Sequence, residues 1–77
     1  MSDYYTIIPA QVRTDKHLLP LDKLIFGEVC ALARRNGFCW AQNSFFADIY
    51  GVRPETVSRS LKKLEDAGYI EIRFEGK

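Results

Sequence analysis

The sequence predicts one α+β domain in which helices predominate, with three helices and a small antiparallel sheet. Three segments have apolar residues at helical spacing or residues typical of helix ends. Short runs rich in aromatic and β-branched residues alternate with them and predict the strands. The 77 residues suffice for a single domain, residues 1–77, whose core is close to the lower size limit for independent stability.

The first half of the chain predicts a strand followed by a long helix. Residues 4–8 are aromatic and β-branched and stop at Pro9, which favours a short edge strand. Residues 10–19 have no clear period and predict a loop or one short turn. Residues 21–35 carry the widest apolar stripe of the chain and predict a helix, because Pro20 suits its first turn and Asn36-Gly37 its end.

The second half predicts two shorter helices and further extended segments. Residues 38–41 predict a minimal strand, and residues 45–50 a helix that Asn43 or Ser44 can cap with a side-chain oxygen. Gly51 ends this helix. The third helix begins at Pro54 and stops at Gly68. Residues 69–74 alternate in the manner of a half-buried strand, and residues 75–77 predict the start of a turn.

Composition excludes several classes of protein. The chain is 47% hydrophobic and 27% charged, which is typical of a globular protein and not of a disordered one. No apolar run approaches the roughly 20 residues of a membrane span, and the N-terminus lacks a secretory signal. We therefore expect a cytoplasmic protein without membrane contact.

The reactive side chains predict no catalytic residue, no metal site and no cofactor. Cys30, Cys39 and the single histidine, His17, cannot fill a tetrahedral zinc site, and there is no CxxC pair. We expect the cysteines to pack as small hydrophobic residues and His17 to lie at the surface. No Ser/His/Asp or Cys/His grouping, phosphate-binding glycine loop or supported carboxylate pair indicates an enzyme.

The net charge of +1 does not by itself indicate a polyanionic partner, but the charges are unevenly distributed. Arg53, Arg59, Lys62 and Lys63 fall in one short segment in which Glu55 is the only counter-charge. Contacts with phosphates are local, so this cluster is more informative than the sum.

The segment before this cluster predicts a tight turn between two short helices. Ala47 allows the helix backbones to approach closely, and Gly51, four positions later, tolerates the positive φ of a tight turn. The residues that we expect to face the shared core are Phe46, Ile49, Val52 and Val57. On this evidence alone, an αα-corner without a nucleic-acid role stays a structural alternative.

The helix after the turn has a polar face suited to DNA. With Val57, Ser60, Leu61 and Leu64 facing the core, its exposed residues are Glu55, Thr56, Ser58, Arg59, Lys62 and Lys63. Hydroxyls near a helix start suit phosphates and base edges, and an arginine one turn further suits guanine. The alternatives are a solvated face for Lys62 and Lys63 and a helix-dipole role for Glu55. Arg53 stands where many such helices have a capping hydroxyl, and we expect it to reach a phosphate.

These residues resemble the recognition helix and first wing strand of winged helix-turn-helix proteins. The resemblance is carried by Thr56-Val57-Ser58-Arg59, Leu61, Leu64 and Gly68-Tyr69-Ile70. It implies binding of double-stranded DNA, with a β-hairpin wing whose Arg73 and Lys77 touch the DNA backbone. The chain stops at Lys77 in the turn of that hairpin. We therefore expect a truncated wing and a longer protein that continues beyond it, unless residues 4–8 complete the sheet.

A narrower resemblance is to the N-terminal domain of phage and plasmid replication initiation proteins, the replisome organisers. It is carried by Ile8-Pro9-Ala10-Gln11-Val12-Arg13, Asp15-Lys16, Lys23-Leu24-Ile25-Phe26-Gly27-Glu28 and Phe38-Cys39-Trp40-Ala41-Gln42-Asn43. It implies recognition of a replication origin, and recruitment of a replicative helicase or its loader by regions outside this chain. A transcriptional regulator and a winged-helix protein-interaction module are the alternatives. Near the N-terminus, either the domain itself or a second copy in a homodimer is expected to bind the apolar side chains of Tyr4, Tyr5, Ile7 and Ile8, and we favour the domain itself.

Overall fold

The computed structural model describes residues 6–36 and 42–72, with the side chains of residues 6–34 and 42–72. Over these residues the chain forms four helices and no strand. In chain order they are α1 (Ala10–Arg13), α2 (Pro20–Asn36), α3 (Asn43–Tyr50) and α4 (Pro54–Asp66).

One hydrophobic core holds the helices together, and α4 packs against both α2 and α3. Full burial of one large apolar side chain stabilises a fold by about 1.5–3 kcal/mol, so a few such residues hold a domain of this size. The buried members of the core are Val12, Leu18, Ile25, Phe26, Phe46, Ala47, Val57 and Leu64.

The three predicted helices are confirmed, with small shifts at their ends. α2 extends the predicted range of 21–35 by one residue at each end, and α4 begins at Pro54 as expected. α3 begins at Asn43, so Asn43 and Ser44 both lie inside the helix and neither caps it; Gln42 precedes the helix without a side-chain cap. Residues 10–19, predicted as a loop or short turn, contain α1, whose Val12 is buried in the core.

The predicted small antiparallel sheet, and with it the wing, is wrong for the described residues. After α4, the N–H of Tyr69 donates to the carbonyl of Leu64, and the N–H of Ile72 donates to the carboxylate of Glu65. These bonds turn the chain back onto α4 instead of pairing it with another strand. Tyr69 and Ile70 are adjacent in sequence and both pack against the helical core, so this segment lacks the alternating burial of a half-buried strand. Residues 4–5, 38–41 and 73–77 of the predicted sheet lie outside the described residues.

The N-terminal segment docks on the domain's own core, as favoured from the sequence, through Ile8. It crosses α2 at Gly27, where an added Cβ would stand 3.0 Å from Cβ of Thr6 and 3.2 Å from Cγ1 of Ile8. A Cβ at position 27 would therefore require Thr6 and Ile8 to shift by a few tenths of an ångström. Ile7, in contrast, is exposed.

The turn between α3 and α4 has the predicted geometry. Gly51 adopts φ 67° and ψ 37°, the left-handed conformation, and the N–H of Val52 donates to the carbonyl of Ala47 at 3.0 Å. Ala47 and Phe46 are buried and Val52 packs on the core, as expected. Ile49 was expected in the core but is 45% exposed, because at about 100° per residue it lies off the α3 face that Phe46 and Ala47 share.

We predict that Gly51→Ala lowers the free energy of unfolding by about 1–2 kcal/mol, since a Cβ disfavours the left-handed conformation. A Cβ at this position would meet nothing within 4 Å, so the cost is conformational and not steric. For a domain of this size the melting temperature would fall by roughly 4–8 °C per kcal/mol, measurable by circular dichroism. Gly51→Asn is the matched control and loses less, because asparagine tolerates this conformation. Equal stability of all three proteins would contradict the turn geometry.

Candidate nucleic-acid interface

α4 has one face in the core and one in solvent. Val57 and Leu64 are fully buried, and Ser60 is 3% exposed, which confirms the predicted inner face. The predicted outer residues divide into two groups. Glu55, Ser58, Arg59 and Lys62 are exposed, whereas Thr56 and Lys63 are half-buried at the flank.

Arg53 immediately precedes α4 in an extended conformation, with φ −81° and ψ 151°. Its carbonyl accepts hydrogen bonds from the N–H groups of Thr56 and Val57 at 3.0 and 3.2 Å. Its side chain makes no capping hydrogen bond and is exposed, so the guanidinium is available at the start of the helix.

The two exposed cations of α4 make only weak contacts. Nη2 of Arg59 lies 3.5 Å from Oγ1 of Thr56, at the outer limit for a hydrogen bond. Nζ of Lys62 lies 3.3 Å from the carboxylate of Asp66, one turn further along, and both side chains are largely exposed. Exposed ion pairs of this kind contribute about 0–1 kcal/mol, so Lys62 can exchange Asp66 for another anion at little cost.

Lys63 has a different environment, because its ammonium group lies 3.0 Å from the buried carboxylate of Asp22 in α2. Asp22 is 1% exposed and accepts two further hydrogen bonds: 2.5 Å from the hydroxyl of Ser60 and 2.8 Å from the N–H of Leu19. The last bond satisfies a backbone donor at the start of α2. The carboxylate therefore joins the beginning of α2 to the middle of α4.

Burial raises the pKa of Asp22, but the hydrogen bonds from Ser60 and Leu19 and the contact with Lys63 outweigh it, so the pKa lies below its ordinary value. The carboxylate is ionised at neutral pH. No pattern in the sequence predicts a hydrogen-bond partner for Asp22. The usable signal was Ser60, because a hydroxyl on the core face of a helix requires a buried hydrogen-bond partner.

A second polar contact anchors the chain that follows α4. The hydroxyl of Tyr69 donates to Asp15 at 2.7 Å, and the ring of Tyr69 packs edge-on against Phe26 with centroids 6.0 Å apart. The N–H of His17 donates to the same carboxylate at 2.9 Å. The Tyr69 bond, followed by that of His17, lowers the pKa of Asp15, and the same bond raises the pKa of Tyr69. The loop between α1 and α2 is thereby held at the C-terminal end of α4.

α3 is connected to α2 by a third polar contact. The hydroxyl of Tyr50, the last residue of α3, donates to the carboxylate of Glu28 at 2.7 Å. Glu28 is buried in α2. Both helices that support α4 are therefore fixed to each other as well as to the core.

Cys30 and His17 are the described reactive residues that lie outside α4. Cys30 is half-buried in α2, and burial raises the pKa of its thiol, as for a cysteine that packs as a hydrophobic residue. The imidazole of His17 is almost fully exposed. Cys39, Arg73 and Lys77 lie outside the described residues. Within the described ranges no group of acidic, histidine or cysteine side chains could hold a metal ion, and no helix is long and apolar enough to cross a membrane.

Residues 16–70 match the model of a family described as a helix-turn-helix domain. The match covers most of the chain and includes α2, α3 and α4, so the chain belongs to the helix-turn-helix domain family. This family supports the prediction of a DNA-binding domain. No curated protein and no solved structure matches the chain.

We predict that Asp22→Asn lowers the free energy of unfolding at neutral pH by about 1–3 kcal/mol, because it removes the charge that Ser60, Leu19 and Lys63 surround. The pKa of Asp22 is lowered in the folded state. Its ionisation therefore stabilises the fold fully above the ordinary value of 3.8, and this stabilisation is lost as the pH falls through the lowered pKa.

Urea denaturation of both proteins between neutral and acidic pH measures this difference. The difference in the free energy of unfolding between wild type and Asp22→Asn should become smaller as the pH falls. Asp66→Asn, which removes an exposed partner of Lys62, is the matched control and should change stability little. An Asp22→Asn variant as stable as wild type at neutral pH would contradict the role of this carboxylate.

Proposed function

We propose that this domain binds specific sequences of double-stranded DNA by inserting α4 into the major groove. The observation that carries the proposal is the division of α4 into a buried face and an outer face of hydroxyls and cations. A helix fits the major groove, where each base pair presents a distinct pattern of donors and acceptors.

Arg59 is the residue best suited to base recognition. It lies between one and two turns into α4, is exposed, and has no partner among the described residues other than the weak contact with Thr56. Its guanidinium can donate two hydrogen bonds to guanine. Thr56 and Ser58 supply hydroxyls for base edges or phosphates. We assign Glu55, in the first turn, to the helix dipole, with acceptance from a cytosine amino group as its second role.

Arg53, Lys62 and Lys63 are proposed to contact phosphates. Arg53 and Lys62 are exposed on either side of Arg59 along the helix. Lys63 holds Asp22, but an ammonium group has three donors, so it can bind a phosphate without releasing the carboxylate. These contacts position the helix, and the bases are distinguished by the residues between them.

We further propose that the site recognised is a replication origin of a phage, plasmid or other mobile element. This role rests on the resemblance to replisome organisers. Several of the residues that carry it, Ile8, Val12, Ile25 and Phe26, pack in or against the core. A transcriptional regulator would use the same helix and the same contacts. Selection of binding sites from random DNA distinguishes the two, because the selected sequence maps either to an origin or to a promoter.

We predict that Arg59→Ala weakens binding to the selected site by about 1–3 kcal/mol and relaxes specificity at one base pair. Lys62→Ala is the matched control on the same face. It should weaken the selected site and mixed-sequence DNA about equally and reduce the slope of log K against log salt by about one. Fluorescence anisotropy with labelled duplexes at several salt concentrations measures both effects.

Wild-type affinity of both variants for the selected site would contradict the placement of α4 in the groove. A protein with no salt-dependent affinity for DNA, unaffected by Arg59→Ala, would instead act as a protein-interaction module.

A further inference from the structure

The small net charge conceals an uneven surface. Residues 6–34 contain three acidic residues, Asp15, Asp22 and Glu28, and none of them is exposed. Asp22 and Glu28 are buried. The side chain of Asp15 is 18% exposed and accepts the hydrogen bonds from Tyr69 and His17. The carboxylates of residues 6–34 therefore form contacts within the fold and are not exposed at its surface.

Most of the basic side chains in residues 6–34 are exposed to solvent. Arg13 and Lys16 are exposed, and within the described part of the chain their side chains form no hydrogen bond or ion pair. Lys23 is half-buried, and its ammonium group donates to the carbonyl of Arg13 at 2.6 Å. We call Arg13, Lys16 and Lys23 the basic strip. It lies at the end of α1, in the loop after it and at the start of α2.

Two residues next to the basic strip in sequence make contact with α4 or with the chain just after it. Lys23 follows Asp22, the residue that contacts Ser60 and Lys63 of α4. At the other end of the loop, Asp15 holds Tyr69, just after α4. The backbone of the strip is thus held next to α4, at Asp22 by Ser60 and Lys63 and at Asp15 by Tyr69.

We propose that the basic strip is a second DNA-backbone contact, which binds phosphates of a strand that borders the groove entered by α4. This proposal rests on the proposed function. α4 has 13 residues and is about 20 Å long, whereas the major groove is about 12 Å wide. A helix that enters by its N-terminal half therefore leaves its C-terminal half, and the strip beside it, over the bordering backbone.

The test is the double variant Arg13→Gln/Lys16→Gln, which removes two charges without removing a contact seen in the fold. Lys23 is left intact because its ammonium group donates a hydrogen bond to the backbone carbonyl of Arg13. Binding to a mixed-sequence duplex of about two helical turns is measured as a function of salt. We expect the slope of log K against log salt to fall by about two, because each phosphate contact contributes about 0.9. The ratio of selected-site to mixed-sequence affinity should stay unchanged.

Two controls make the result specific. Arg34→Gln removes an exposed arginine near the other end of α2 and should leave the slope unchanged. Arg13→Lys/Lys16→Arg keeps the charges and should keep the wild-type slope, which separates a charge effect from a folding defect. A wild-type slope in the double variant, while Lys62→Ala still lowers it, would overturn the strip and leave α4 as the interface. A change in the affinity ratio would also overturn the strip as a backbone contact. Absence of DNA binding by the wild-type protein would overturn both proposals.

Discussion

The structure depends on one buried carboxylate, that of Asp22 at the start of α2. Burying an ion costs several kcal/mol unless hydrogen bonds and a counter-charge compensate for it. Here the compensating groups come from two places: Leu19 at the start of the same helix, and Ser60 and Lys63 from α4. The hydrophobic core supplies the stability. Asp22 restricts how α2 and α4 can be placed, because any displacement of α4 would leave a buried charge unsatisfied.

The same contact connects the fold with the outer face of α4, the surface proposed to bind DNA. Ser60 points inward to Asp22, so Arg59 beside it points outward into solvent. The carboxylates of Asp15 and Asp22 both contact α4 or the chain after it. These two carboxylates thus stabilise the arrangement, while Arg13 and Lys16 near them in sequence are exposed. A domain with a net charge of +1 can in this way present a basic surface.

Local patterns were sufficient for much of this arrangement. The spacing of Val57 and Leu64 predicts the inner face of α4, and Gly51 predicts the left-handed turn before it. Both features depend on residues close in sequence. The pairing of Asp22 with Ser60, 38 positions apart, depends on tertiary packing and has no local signal beyond the hydroxyl itself. The sheet was predicted wrongly because the residues from Tyr69 onward suit a half-buried strand by local pattern, and only tertiary packing decides that Tyr69 and Ile70 both lie against helices.

A nuclear magnetic resonance titration of the labelled domain with a selected duplex, following every backbone amide, tests the role of α4 most directly. If α4 enters the groove, the largest chemical-shift changes occur in residues 53–63, with smaller changes at residues 13–23, and the amide signals near Arg34 do not shift. Shifts that are largest on α3 or the far end of α2, with residues 53–63 unaffected, would contradict the assignment of α4 as the recognition helix.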